Sequence, residues 1–381
     1  MILRTDAIKE VSNDILSAVD SSELSTLTDT LELSTEDGTL YATVSNGEYV
    51  VEVKLADGLA EDFHVAVNAK LFLKLVSQTT TEDIELKVAD SFLTLKGNGT
   101  YRIPMVFDEN GDVLSIDKID INNVTCEMAV DGNILNSILR YNSRQIADAT
   151  KIRNPLQNFY YVDNYGAITY TQGATVNNFS LDKPISLLLS GKIVKLFKLF
   201  KGGDVDFVVG KDENESGDVY TKVQIHSDTV TLTYITPSDN SLVKAFPVDA
   251  IRGRANGSYP YAVNLNRVEF LQSLNRMKLF TTSYGGRFAI QPVAKFTFGV
   301  DKLEITDNFT DATEKNGESV PYISGSTQNL TEPFVCTMDM NDLIDSLSTC
   351  VDPYVTVAFG DPMAVVIKRG TVVDVVAQCD R

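Results

Sequence analysis

Residues Ser190 to Gly210 read SGKIVKLFKLFKGGDVDFVVG. On a helical wheel Ile193, Leu196, Phe197 and Phe200 fall on one side, while Lys192, Lys195, Lys198 and Lys201 fan across the other. Gly202-Gly203 stops that helix, and Val205, Phe207 and Val209 then recur at period two, as a half-buried strand requires. One helical face is thus made for a sheet and the other for water or a polyanion. A lysine face alone is usually a solvated surface; this one gains weight because the unit occurs three times.

The repeat is found by dividing the chain: 381/3 gives about 127 residues per copy. In the second half of each copy an apolar strand leads to a helix, an acidic turn and further strands. The turns read TTEDIELKV, GGDVDFVVG and CVDPYVTVAF. Copy one opens with strand Ile2 to Arg4 and a helix from Asp6 to Val19. Alternating segments follow, separated by the hairpin signals Asp37-Gly38 and Asn46-Gly47. A helix carrying Lys70 and Lys74 precedes strands DIELKV, FLTLKG and TYRIPMV.

Copy two has a helix from Gly132 to Arg144, and its strands after Gly203 are DVDFVVG, VYTKVQIH, TVTLTYI and LVKAFPV. Copy three has a helix from Asn266 to Lys278, strands at Arg287 to Ile290, Lys295 to Phe298 and Lys302 to Thr306, and the helix MNDLIDSLST. Polar loops are expected at Lys211 to Asp218 and Asp307 to Ser319. Helices on one face of antiparallel sheets predict an α+β fold of three repeated domains, 1–119, 120–257 and 258–381. Linkers are expected near Asp117 to Asn123 and Ile251 to Pro260.

A formal charge of -19 argues against a nucleic-acid partner unless the basic residues are segregated. They are. Lys70 and Lys74 give one helix +2, the Lys192 helix has +4, Arg140 and Arg144 give +2, and Arg267, Arg276 and Lys278 against Glu269 give +2. Asp6 to Asp20 is net negative, and the last helix carries Asp339, Asp342 and Asp345. Without an apolar signal region or an 18-residue apolar run, a cytoplasmic protein with no membrane partner is expected. The four cysteines are far apart, which indicates neither a zinc site nor a disulfide framework. His64 and His226 stand in strand-like contexts, and no G-x-S-x-G, H-E-x-x-H or Walker A is present, so no catalytic residues, metal or cofactor are expected and the protein reads as no enzyme.

In EDGTLYAT (36–43), the VAVNAKLFLKLV run with the strands after it, SGKIVKLFKLFKGGDVDFVVG, Phe246-Pro247 and VVDVVAQ, the chain resembles the bacterial DNA polymerase III β subunit, or sliding clamp. The resemblance implies a head-to-tail homodimer ring of six domains around duplex DNA, its helices lining the hole. A clamp loader ATPase would place it on DNA, and the ring would tether a DNA polymerase. The DNA contacts would then be Lys70, Lys74, Arg140, Arg144, Lys192, Lys195, Lys198, Lys201, Arg276 and Lys278. Strand Thr100 to Val106 would pair with the other chain.

The family's peptide pocket between domains two and three carries over to Thr171, Gly173, Val176, Pro247, Arg252, Val375, Ala377 and Cys379, with Ile251 a further match. Where the family has Thr-Asp-Gly-His-Arg-Leu this chain has Thr171-Gln172-Gly173-Ala174-Thr175-Val176, without the imidazole and the guanidinium. Such divergence suits a clamp encoded by a bacteriophage or mobile element with its own polymerase. The rival reading is a structural β-rich repeat protein of a virion or surface assembly, for which an acidic surface is equally natural.

Overall fold

The computed structural model describes residues 1–19, 26–146, 154–213, 219–237, 240–283, 292–307, 316–325, 327, 330–361 and 363–379. One order, strand, helix, four strands, helix, three strands, is used three times. The first copy is β1 (Ile2–Arg4), α1 (Thr5–Leu16), β2 (Thr30–Glu36), β3 (Thr39–Ser45), β4 (Tyr49–Ala56), β5 (His64–Asn68), α2 (Ala69–Gln78), β6 (Asp83–Ala89), β7 (Phe92–Lys96) and β8 (Thr100–Pro104). The second is β9 (Val124–Asp131), α3 (Gly132–Asn142), β10 (Phe159–Asp163), β11 (Gly166–Tyr170), β12 (Ala174–Asn178), β13 (Ser186–Ser190), α4 (Gly191–Leu196), β14 (Asp204–Glu213), β15 (Val219–His226) and β16 (Val230–Pro237).

Two short helices, α5 (Asn240–Ala245) and α6 (Val248–Ala255), precede the third copy. It comprises β17 (Tyr261–Asn266), α7 (Arg267–Ser283), β18 (Val293–Phe298), β19 (Lys302–Asp307), β20 (Gly317–Gly325), β21 (Phe334–Asp339), α8 (Met340–Thr349), β22 (Tyr354–Phe359), β23 (Ala364–Arg369) and β24 (Val372–Ala377).

Two compact units divide the described chain. The first, Met1–Leu139 with Leu187–Val243, holds a four-stranded sheet in the order β1-β6-β7-β8 and an eight-stranded sheet in the order β5-β2-β3-β4-β16-β15-β14-β9. The second, Arg140–Ser186 with Lys244–Arg381, holds a sheet running β10-β11-β12-β24-β23-β22-β17-β20-β19-β18-β21. Every register described is antiparallel, and the mixture is α+β, as the sequence predicts. In each unit the last strand of one copy joins the third sheet strand of the copy before it. β16 meets β4, with Leu232 opposite Val51, and β24 meets β12, with Val375 opposite Ala174.

The stretch from Ser190 folds as its periodicity requires. Ser190 Oγ accepts from the Ile193 amide at 3.4 Å, the cap position where a hydroxyl relieves an orphan N–H. Ile193, Leu196, Phe197 and Phe200 are buried, each contributing about 1.5–3 kcal/mol of apolar burial, and Val205, Phe207 and Val209 of β14 are buried in alternation. After Leu196 the coil tightens to a 3-10 turn, Phe197–Leu199, whose period of three carries Lys198 onward in line with Lys195. Gly203 has φ 78°, and its carbonyl receives the Gly132 amide at 2.7 Å; a Cβ on Gly132 would stand 2.9 Å from that oxygen. Both glycines are therefore required where α3 starts against this turn.

Several sequence expectations change. LVKAFPV is no strand: through Ala245 it is helix α5, and among 242–246 only Phe246 is buried, stacked on Tyr161 with centroids 5.2 Å apart. The linker expected from Ile251 begins as α6, held by a bidentate pair of Arg252 with Asp163 at 2.7 Å. The helix expected at Asn266 to Lys278 continues to Ser283. Gly317–Ser319, expected in a loop, belong to β20, in which only Val320 is buried and no alternation could be read. Strand Arg287 to Ile290, loop residues 214–218 and 308–315, and 380–381 lie outside the described residues. Residues 114–122 have no regular structure, as the first linker requires.

Candidate functional site

The basic residues expected to meet DNA fall into two classes. Lys192, Lys195 and Lys198 are exposed along α4 and its 3-10 extension, and Lys74 on α2 and Arg140 near the end of α3 are exposed as well. The Arg140 guanidinium lies 5.4 Å from the Tyr141 ring centroid. Lys70, Lys201 and Arg276 make ion pairs within the chain. Lys70 lies 3.7 Å from Asp29, and Lys201 lies 3.1 Å from Glu10 and 3.3 Å from Asp14. Arg276 grips Glu318 through Nε at 2.7 Å and Nη2 at 2.8 Å. Lys278 is half-buried.

Arg144 departs from the expectation altogether. Its side chain is 9% exposed and paired with the fully buried Asp374, so it meets no solvent phosphate. Asp374 also accepts from Arg369 Nε at 2.8 Å, from Thr175 Oγ1 at 2.8 Å and from Ser346 Oγ. Burial lifts the Asp374 carboxyl, but the guanidinium groups of Arg144 and Arg369 prevail and hold it below the usual carboxylate range. Nearby, burial and then Asp339 raise the Asp342 carboxyl on α8 to about 6, against an opposing pull from Arg144.

Four of the residues expected at a peptide pocket line one cavity. A cavity of about 300 Å³ in the second unit is lined by Thr171 and Gly173 before β12, Ile251 and Arg254 of α6, and Val375 and Ala377 of β24. Tyr170, Gln172, Ala174, Ala250, Met363 and Ala364 complete it. Thr171 Oγ1 donates to Gln145 Oε1 at 2.5 Å, and Gln157 Nε2 donates to the Thr171 carbonyl at 3.1 Å, which fixes the wall. A Cβ at Gly173 would stand 2.6 Å from the Val375 carbonyl, so the close approach of turn and strand needs glycine.

Four expected members do not line the cavity. Val176 is 1% exposed within the core, and Arg252 is committed to Asp163. Pro247 forms the start of α6, and Cys379 donates its amide to the Thr337 carbonyl and accepts from Thr337 Oγ1 at its own carbonyl. Arg254 and Met363 were missed because they belong to a helix and a strand start that only the tertiary structure brings to Thr171. Arg254 is the single charged group among the lining residues.

His64 stands near Ser115 and Glu32, yet both oxygens meet the same ring nitrogen, Nε2, at 3.4 and 2.9 Å. An imidazole so placed cannot pass a proton from one to the other. Glu32 also accepts from the Ile116 amide at 2.8 Å, so the cluster clips residues 115–116 to the sheet. Among the described residues no group of His, Cys, Asp and Glu is arranged to hold a metal ion, and no helix is long and apolar enough to cross a membrane.

No family model matches the chain, and comparison with curated proteins finds no match. Solved structures do match. A DnaN sliding clamp (DNA polymerase III subunit β) from Pseudomonas aeruginosa, solved with griselimycin, aligns with a TM-score of 0.81 at 13% identity, covering 100% of this chain and 99% of that one. The DNA polymerase III β chain of Streptococcus pneumoniae gives 0.78 at 12% with the same coverage. The DNA polymerase sliding clamp of Bacillus subtilis gives 0.76 at 16%, covering 100% and 98%. With no sequence match behind it the likeness is one of architecture, and the fold of this chain, over its whole length, is that of the bacterial DNA polymerase III β sliding clamps.

Proposed function

We propose that this chain is a replication processivity clamp: two copies close head to tail around duplex DNA and tether a polymerase, after loading by an ATPase. The observation that carries the reading is the exposed row Lys192, Lys195 and Lys198 on a short helix, in a chain of formal charge -19 with a clamp fold. Cations gathered in such a row attract phosphate without reading bases. The three copies would be the domains 1–119, 120–257 and 258–381.

Ring closure follows from the repeat. β16 pairs with β4 and β24 with β12, the last strand of one copy on the third sheet strand of the previous one. By the same rule β8, an open edge of its sheet, takes β20 of a second copy, along Gly317 to Pro321, the part of β20 that pairs with β19 and not with β17. The interchain strand is then Thr100–Pro104, shorter than the expected Thr100 to Val106, because Met105 bridges Val67 and the Val106 amide donates to Ala66. Polymerase would enter through the cavity at Thr171, Ile251 and Val375, whose apolar lining suits a peptide side chain.

Topology supplies the test. Protein loaded on nicked circular DNA should be retained at moderate salt and lost when the circle is linearised. Equal retention on both forms would instead support the structural-protein reading. Replacing Lys192, Lys195 and Lys198 by Ala should flatten the salt dependence of binding, each lost phosphate contact removing about 0.9 from the log-log slope, with no change in sequence preference. An unchanged slope would mean that this face does not meet DNA.

A further inference from the structure

Lys201 continues the lysine row but differs from Lys195 and Lys198 in having acids placed against it. Glu10 and Asp14 are one turn apart on α1, and both reach its Nζ, at 3.1 and 3.3 Å. Helix α1 packs against the 3-10 turn that precedes Lys201, so the approach is set by the fold and not by the lysine's reach alone. Among the described residues no acid is paired with Lys195 or Lys198. The lysine remains 57% exposed, and Glu10 70%, so the pair is open to competition from an ion in solvent.

We propose that α1 is an internal counterion for Lys201, competing with DNA phosphate for it, so that the row holds the duplex less tightly than its charge count implies; this rests on reading the α4 face as the DNA contact. Exposed ion pairs are weak, which lets phosphate displace the carboxylates and lets the carboxylates take the lysine back. A ring that must move along DNA is served by such exchange, because no cation then stays fixed to one phosphate. Net-negative α1, at odds with the basic helices around it, acquires a role in this arrangement.

The test is binding of the full chain to a short blunt-ended duplex, followed by fluorescence anisotropy across a salt series. Glu10→Gln/Asp14→Asn should bind roughly two- to fivefold tighter at low salt. Its log-log salt slope should be steeper by about 0.9, the signature of one added phosphate contact. Adding Lys201→Ala should abolish both gains. Neutralising two exposed acids elsewhere, Glu61→Gln/Asp62→Asn, controls for net charge and should leave the slope unchanged. A gain that survives Lys201→Ala, or that the control reproduces, overturns the counterion role alone. If Lys195→Ala/Lys198→Ala leaves wild-type affinity and slope untouched, the DNA reading of this face falls and the counterion role falls with it.

Discussion

Asp374→Asn should destabilise the unit formed by Arg140–Ser186 and Lys244–Arg381 by about 3–5 kcal/mol, because it leaves buried guanidinium groups without their counter-charge. In calorimetry that corresponds to a melting temperature lower by roughly 10 °C. Asp374 is fully buried between Arg144 and Arg369, and Thr175 and Ser346 complete its shell. An amide of the same shape keeps the hydrogen-bond acceptor but not the charge. The pH dependence has a definite sign. The folded carboxyl is held below its ordinary value, so its contribution is complete above about pH 4, the unfolded value, and is lost as the pH falls through the lower folded value. Wild type should therefore show a steeper acid limb than Asp374→Asn. An equal melting point and equal acid limbs would show that the charge contributes nothing net.

Ile251→Asp should abolish capture of the host polymerase while leaving the fold intact. Ile251 is half-buried on α6 and faces the cavity with Val375 and Ala377, so a carboxylate there would be desolvated against apolar walls by any docking side chain. The expected loss is several kcal/mol, on the order of a hundredfold or more in affinity. Val176→Asp, which the sequence recommends, is the wrong experiment: Val176 is core, and a charge there would unfold the sheet before it disabled a pocket. Pull-downs from host extract with wild type and Ile251→Asp decide the matter. Equal recovery of polymerase would place tethering on another surface.

Alternation and helical period are legible wherever one face is buried and the other wet, which is why Val205, Phe207 and Val209, or the apolar side of the Lys192 helix, could be read directly. Where the fold buries only one residue of a segment, as in β20 with Val320 or α5 with its following Phe246, period carries no signal. Charge count fails differently. Arg144 and Lys198 look alike in a helical window, yet one ends inside the protein because Asp374, 230 positions later, is brought beside it. The pocket was legible as two of its walls, Thr171–Gly173 and Val375–Ala377, because the resemblance named those segments. Its third wall depends on α6, where Gly253 and the polar run after it read as linker.

The joints β4–β16 and β12–β24 also have a thermodynamic side. In each, the two strands belong to one polypeptide, so the connecting chain keeps them at an effective concentration of order millimolar. The proposed joint between β8 and the β20 of another molecule would have no such tether and would be governed by protein concentration itself. At about micromolar protein the difference is a factor of about a thousand, or roughly 4 kcal/mol, for the same hydrogen bonds and the same packing. A ring built this way parts at its untethered joints while its internal ones stay shut, and dilution alone favours the open form.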